Sequence, residues 1–272
     1  MFLETVPSSV RETFAAGPTR RDDDVQAAAA TDVGRVRSNN EDAFRSVPEL
    51  GLFVIADGMG GHVAGETAAR LAVDAIETSI RASAGAELAV EADRSHANAA
   101  RLSAAIARAN EWIAKAVVDD DARRGMATTV VAALVEAHVA TIAHVGDSRA
   151  YLWHAGRLRQ ITADHAWVAD QVRAGLLTDV DARRHPWRHV LTRALAGGAE
   201  GVPDLQDVVL APGDRLLLCT DGLSGVLSPM QLETLTGASE SPARICDALV
   251  GAANDAGGPD NVTVVIVERR AI

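Results

Sequence analysis

Two aspartates in this chain stand in matching settings. The apolar run Leu52-Phe53-Val54-Ile55-Ala56 ends in Asp57-Gly58, and Leu216-Leu217-Leu218-Cys219-Thr220 ends in Asp221-Gly222. A third acid, Asp260, comes just before the run Val262–Val267. A fourth, Asp147, follows Val139–Val145 within Val145-Gly146-Asp147-Ser148-Arg149. A single Asp-Gly is a common hairpin-turn signal. Four acids, each at the edge of an apolar run, are harder to assign to turns alone. Strand ends hold their residues in fixed positions, and carboxylates brought together repel one another unless a cation lies between them. The donors would all be oxygens, which suits Mg²⁺ or Mn²⁺ and not Zn²⁺.

Two further stretches could act with such a centre. Arg37-Ser38-Asn39-Asn40-Glu41-Asp42 offers a guanidinium, able to grip a phosphate through paired hydrogen bonds, followed by two carboxylates able to orient water. Taken alone, it reads equally well as a solvated loop before a strand. The loop Gly58-Met59-Gly60-Gly61-His62-Val63-Ala64-Gly65 joins a strand to a helix and invites a nucleotide reading. Glu66-Thr67 follows, however, where a P-loop needs its lysine, and Val63 stands where a dinucleotide fingerprint needs its third glycine. No Gly-x-Ser-x-Gly elbow occurs. His185 and His189 are four apart but flank Pro186, a poor helical ligand pair.

The elements that must position these residues are short apolar strands at Leu52–Ala56, Thr129–Leu134, Val139–Val145, Leu216–Cys219 and Val262–Val267. Their unbroken apolar character predicts sheets buried on both faces. Apolar stripes predict helices over Gly65–Ala82, with Ala69, Ala72, Val73, Ile76 and Ile80 inward, and over Asn98–Val118, with Leu102, Ile106, Ile113 and Val117 inward. Pro229–Leu235 and Pro242–Asn254 read as a later helical pair, each with proline at its start. The order lacks strict β-α-β alternation and suits an α+β architecture of antiparallel strands with helices outside. Thr162–Val190 interrupts the strands with an expected helix at Asp164–Ala174 and a polar segment, as a surface flap would. Residues 1–24 show no periodicity and read as a flexible tail, and a single globular unit is expected over 25–270.

The 272 residues carry a formal net charge of −11, which disfavours nucleic acid and anionic membrane as partners. No apolar run approaches the roughly 18 residues needed to span a membrane, and the start lacks a signal core, so a cytoplasmic protein is expected. The two cysteines, Cys219 and Cys246, form neither a disulfide framework nor a zinc spacing. Cys219 reads as a small buried hydrophobe.

Taken together, Arg37–Asp42, Asp57–Glu66, Gly125–Thr129, Val145–Leu152, Gln160–His165, Gly213–Leu223 and Gly258–Val265 resemble, in family order, the type 2C metal-dependent serine/threonine protein phosphatases, above all the compact bacterial members. The resemblance implies a four-layer α-β-β-α sandwich of two antiparallel sheets flanked by helices, with a flap at about 162–190. It implies two Mn²⁺ or Mg²⁺ ions, with Asp57 bridging, Gly58 giving its backbone carbonyl, Asp221 and Asp260 completing the site, and Glu41 and Asp42 holding waters. Asp147, sharing Asp221, matches the position of a third, weaker metal, and Arg37 matches the phosphate-gripping arginine. The implied reaction is attack on phosphoserine or phosphothreonine by a water bridging two metals. Its partners would be phosphorylated proteins, among them a serine/threonine kinase and its substrates, and the enzyme would act as a monomer. Met59 stands where some relatives carry a histidine proposed as general acid, and His62 is the nearby alternative. Two other classes stay open: a phosphoprotein-binding protein without turnover, against which Arg37 and the full set of acids argue, and a P-loop nucleotide hydrolase, against which Glu66 argues.

Overall fold

The computed structural model describes residues 25–61, 63–84, 91–199 and 201–270. The expected tail, residues 1–24, and His62 lie outside the described residues.

One sheet contains β1 (Val25–Asp32), β7 (Arg149–His154), β8 (Arg157–Gln160), β10 (Arg215–Cys219) and β11 (Val262–Arg269), in the order β1-β11-β10-β7-β8. The other runs β2-β3-β5-β6-β9, formed by β2 (Asp42–Val47), β3 (Leu52–Met59), β5 (Val130–Glu136), β6 (Val139–Val145) and β9 (Asp204–Val209), with the two-residue β4 (Ala127–Thr128) against the end of β3. Neighbouring strands are antiparallel throughout. The β7–β8 hairpin turns on Ala155 and Gly156, both at positive φ, as a two-residue turn requires if it is to match strand twist.

Strand side chains alternate between faces, and here both faces are apolar. Leu52, Val54 and Ala56 pack on α1 (Val63–Ser83) and α2 (Glu91–Asp119), against Ala69, Val73, Ile76, Leu102, Ile106 and Ile113. The intervening Phe53 and Ile55 face the other sheet, meeting Leu216, Leu218, Val265 and Val267. The opposite face of that sheet, with Leu217, Cys219, Val264 and Ile266, is covered by α6 (Pro229–Thr236) and α7 (Pro242–Asp255). The result is the expected α-β-β-α order of layers. Proline at the first turn and a serine cap, Ser228 or Ser241, start each of the last two helices. Both cysteines are buried, and burial pushes their thiols up to about 12.

The flap departs from expectation. The helix expected over Asp164–Ala174 is present but starts later, as α3 (Trp167–Arg173), and a second short helix, α4 (Asp179–Arg184), lies in the segment read as polar. Asp164 is held by Arg149 through Nε and Nη2, and Ala166 bridges to Leu191, so the chain stays extended until Trp167. Trp167, His185 and Trp187 then cluster, with Trp187 edge-on to both of the other rings.

Candidate metal centre

The acids gather from separate segments at one end of the two sheets. Asp42 opens β2 and is the cross-strand partner of Asp57 near the end of β3. Asp147 lies on the connection that carries the chain from β6, in one sheet, to β7, in the other. Asp221 is the first residue of the short helix α5 (Asp221–Ser224) after β10, and Asp260 stands just before β11.

The Asp57 backbone is clamped on both sides. Its carbonyl accepts from Thr129 N–H at 2.9 Å and the Thr128 hydroxyl at 2.8 Å, and its N–H donates to Thr129 Oγ1 at 3.2 Å. Asp42 Oδ2 accepts from Thr220 at 3.0 Å and Thr263 at 2.7 Å, so hydroxyls from one sheet fix a carboxylate on the other. Asn261 binds three segments together. Its amide donates to the Val33 and Asn39 carbonyls, its Oδ1 accepts from Glu41 N–H at 2.8 Å, and its own N–H donates to Asp260 Oδ1 at 2.8 Å.

The two Asp-Gly pairs are not turns. Gly58 lies in β3 and Gly222 in α5, neither in the left-handed region. Each is small because another segment of the chain crosses it. A Cβ on Gly58 would overlap the Gly65 carbonyl and come within 2.6 Å of the Glu41 carbonyl oxygen, and one on Gly222 would overlap the Asn261 carbonyl. Glu41 Oε2 likewise occupies the space a Cβ on Gly65 would need. These crossings bring Glu41, Asp57, Asp221 and Asp260 to one place.

The electrostatics are those of crowded anions. Burial first, then the charges of Asp42, Asp221, Asp147 and Asp260, pushes Asp57 well above the usual carboxylate range. Asp42 rises to about 7 through burial, against the pull of its two threonine bonds, with Asp221 and Asp260 adding to the rise. Asp147 rises to about 7 through burial, then Asp221 and Asp164, with Arg149 opposing. Such a set of oxygen donors fits a hard divalent cation, which would remove the repulsion and restore the ionised forms.

An arginine and a histidine border the acids. Arg37 Nη2 donates to Asp260 Oδ2 at 2.7 Å while half of its side chain stays exposed. His189 Nδ1, from the flap, lies 3.8 Å from Asp221 Oδ2. That contact was not expected from sequence. His185 and His189 are indeed no pair, since His185 joins the tryptophans. Thr220, Thr263 and Asn261 were also missed. A polar residue next to each strand-edge acid was the available signal.

The protein phosphatase 2C family model matches residues 34–255. The serine/threonine phosphatase stp of Listeria welshimeri is 35% identical over 250 residues, covering 90% of this chain and 96% of that protein. Among solved structures, the Mycobacterium tuberculosis serine/threonine phosphatase PstP/Ppp matches with a TM-score of 0.81 and 37% identity, over 91% of this chain and 100% of that one. The catalytic domain of the phosphatase PstP, solved in complex with two manganese ions, matches with a TM-score of 0.79 and 35% identity, over 91% of this chain and 99% of that one. The chain belongs to the protein phosphatase 2C family of metal-dependent serine/threonine protein phosphatases.

Proposed function

We propose that the chain hydrolyses phosphoserine and phosphothreonine in proteins by direct attack of water, opposing a bacterial serine/threonine kinase in the cytoplasm and acting as a monomer. In this reading residues 25–270 are the catalytic unit, 162–190 its flap and 1–24 a tether. The observation that carries the reading is the convergence of Asp42, Asp57, Asp147, Asp221 and Asp260 on one end of the two sheets. Among the described residues, no helix is long and apolar enough to cross a membrane.

Asp57, the Gly58 carbonyl, Asp221 and Asp260 would hold two Mn²⁺ or Mg²⁺ ions, and Asp147 with Asp221 a third. Such ions supply charge neutralisation and a water of lowered pKa. The chain's own groups do the rest. Thr220 and Thr263 hold one oxygen of Asp42, leaving the other to orient water, with Glu41 beside it. Arg37 is tethered through one nitrogen to Asp260, so the remaining donors of its fork can donate to the oxygens of a phosphoryl group and steady charge developing there. The leaving alkoxide needs a proton in the transition state. His62, the nearby alternative donor, lies outside the described residues.

The test is turnover of p-nitrophenyl phosphate and of a phosphothreonine peptide with and without Mn²⁺. Both rates should require the ion, and Asp57→Ala should lose about 10³-fold, equivalent to roughly 4 kcal/mol of barrier. Full activity of Asp57→Ala after chelation would end the two-ion reading.

A further inference from the structure

Behind the Asp147 loop lies a second cluster of potential ligands: His144 on β6, His165 at the root of the flap and Asp204 at the start of β9, with one candidate atom from each within 4.8 Å of the others. Its hydrogen bonds argue against a metal. Gly146 N–H donates to His165 Nδ1 at 3.1 Å, so Nδ1 carries the lone pair and the ring proton sits on Nε2, which faces Asp204 Oδ2 at 3.2 Å. A metal on Nε2 would move that proton to Nδ1, directly against the Gly146 N–H. Metal-bound histidines instead donate their second nitrogen to an acceptor. The other Asp204 oxygen already accepts from Arg193 at 2.6 Å. His144 Nε2 meets the Ala163 carbonyl at 2.9 Å, and its ring stacks on His165 at 4.6 Å.

The same bonds hold a peptide in place. Gly146 is bonded to His165 twice, because the His165 N–H also donates to the Gly146 carbonyl at 3.0 Å. Gly146 has φ +107°, and a Cβ there would come 2.6 Å from Thr129 Cβ, so it is pressed between Thr129 and His165. The next residue is Asp147, and after it Ser148 Oγ bonds Thr129 Oγ1 at 2.7 Å. Among the described residues no side-chain hydrogen bond reaches the Asp147 carboxylate, which is met by its own backbone N–H, so its aim depends on the backbone between these two anchors. On its far side the His165 carbonyl accepts from Thr192 N–H at 2.8 Å, where the chain leaves the flap.

We infer that His165, backed by Asp204 and Arg193, is a positioning residue for Asp147, and that the chain Arg193–Asp204–His165–Gly146 ties the root of the flap to that carboxylate. The inference rests on the reading of Asp147 as ligand of a third cation.

Asparagine and glutamine separate the two ends of the imidazole. His165→Asn keeps an amide oxygen near the Nδ1 position, where it can accept from Gly146. His165→Gln places its amide near Nε2, able to reach Asp204 but leaving the Gly146 N–H without an acceptor. The readouts are Mn²⁺ stoichiometry and affinity by calorimetry on chelator-treated protein, kcat and KM on p-nitrophenyl phosphate and a phosphothreonine peptide, and the melting temperature. His165→Gln should keep two tight ions, weaken the third about 10-fold or more, and lower kcat on the peptide more than it changes KM for the small ester. His165→Asn should restore the third ion and the peptide rate. Asp204→Ala, a change at a half-exposed position, should act in the direction of His165→Gln and serves if that variant does not fold. Equal losses in the Asn and Gln variants that track melting temperature would overturn the inference. So would an additional tightly bound Zn²⁺ in the wild type that both variants lose. Asp147→Ala, measured alongside, separates the two ideas. If it keeps the weak ion, the third-cation reading fails by itself. If it loses the ion and His165→Gln keeps it, only the role of His165 fails.

Discussion

A metal-free form of this protein should lose stability as pH rises from mildly acid to mildly basic. Asp42 has a folded-state pKa of about 7 against an ordinary 3.8, so the fold favours its protonated form. For a raised carboxyl the sign is fixed: its stabilising contribution is complete below about pH 3.8, declines as the unfolded carboxylate ionises, and is gone above about pH 7. Each unit is worth about 1.36 kcal/mol, so the full loss is about 4 kcal/mol, of which about 2 kcal/mol falls between about pH 5.5 and pH 8. Asp147 rises similarly, but both groups answer to Asp221, so their contributions do not simply add. About 2 kcal/mol corresponds to a fall in Tm of roughly 4–8 °C for a domain of this size. The assay is a thermal melt of chelator-treated protein at the two pH values, with and without Mn²⁺. Mn²⁺ should raise Tm more at pH 8, where the carboxylates it binds are already ionised. Asp42→Asn imitates the protonated side chain, so the metal-free variant should melt higher than wild type at pH 8 while its turnover collapses. A wild-type Tm that is flat or rises across this window, with Asp42→Asn no more stable, would refute the crowded-anion account.

Three further outcomes are expected. Arg37→Ala should raise KM for a phosphothreonine peptide about 10-fold or more, the loss of a charge-assisted bond, with the Mn²⁺ titration nearly unchanged; an unaltered KM would place Arg37 outside the phosphate site. Gly222→Ala must push the Asn261 carbonyl away; it should cost about 1–3 kcal/mol of stability and also weaken Mn²⁺ binding, as denaturant melts and calorimetry would report. Deleting residues 1–24 should leave Tm and p-nitrophenyl phosphate turnover close to those of the full chain, and a large fall in Tm would show that the segment packs on the sandwich.

Elements whose residues are apolar on both faces were legible, because runs such as Leu52–Ala56 and Leu216–Cys219 leave few other options. Strands that lack that signature were not. β1 is built on Ala27–Ala30, a poor strand former that fits because β11 beside it supplies the bulk. β9, Asp204–Val209, is a largely exposed and polar edge. The acids could be picked out because each stands at a strand edge. Their supports could not, since Asn261 reaches Asn39 and Val33 across more than two hundred residues of sequence. The two Asp-Gly pairs gave a misleading local message: their glycines answer to segments that cross from elsewhere in the chain, which no window of sequence displays.

Asp42 and Asp57 belong to one sheet, Asp221 and Asp260 to the ends of the other, and Asp147 to the strap between them. The distance from Asp42 and Asp57 to Asp221 and Asp260 therefore depends on the apolar filling that spaces the sheets, which lie about 10 Å apart in stacked sheets generally. Phe53, Ile55, Leu216 and Val265 act as a spacer gauge for a polar centre they never touch. Thinning or thickening that filling should change the bite of the carboxylates on a cation, so a substitution in the hydrocarbon interior is expected to shift which ion the site prefers.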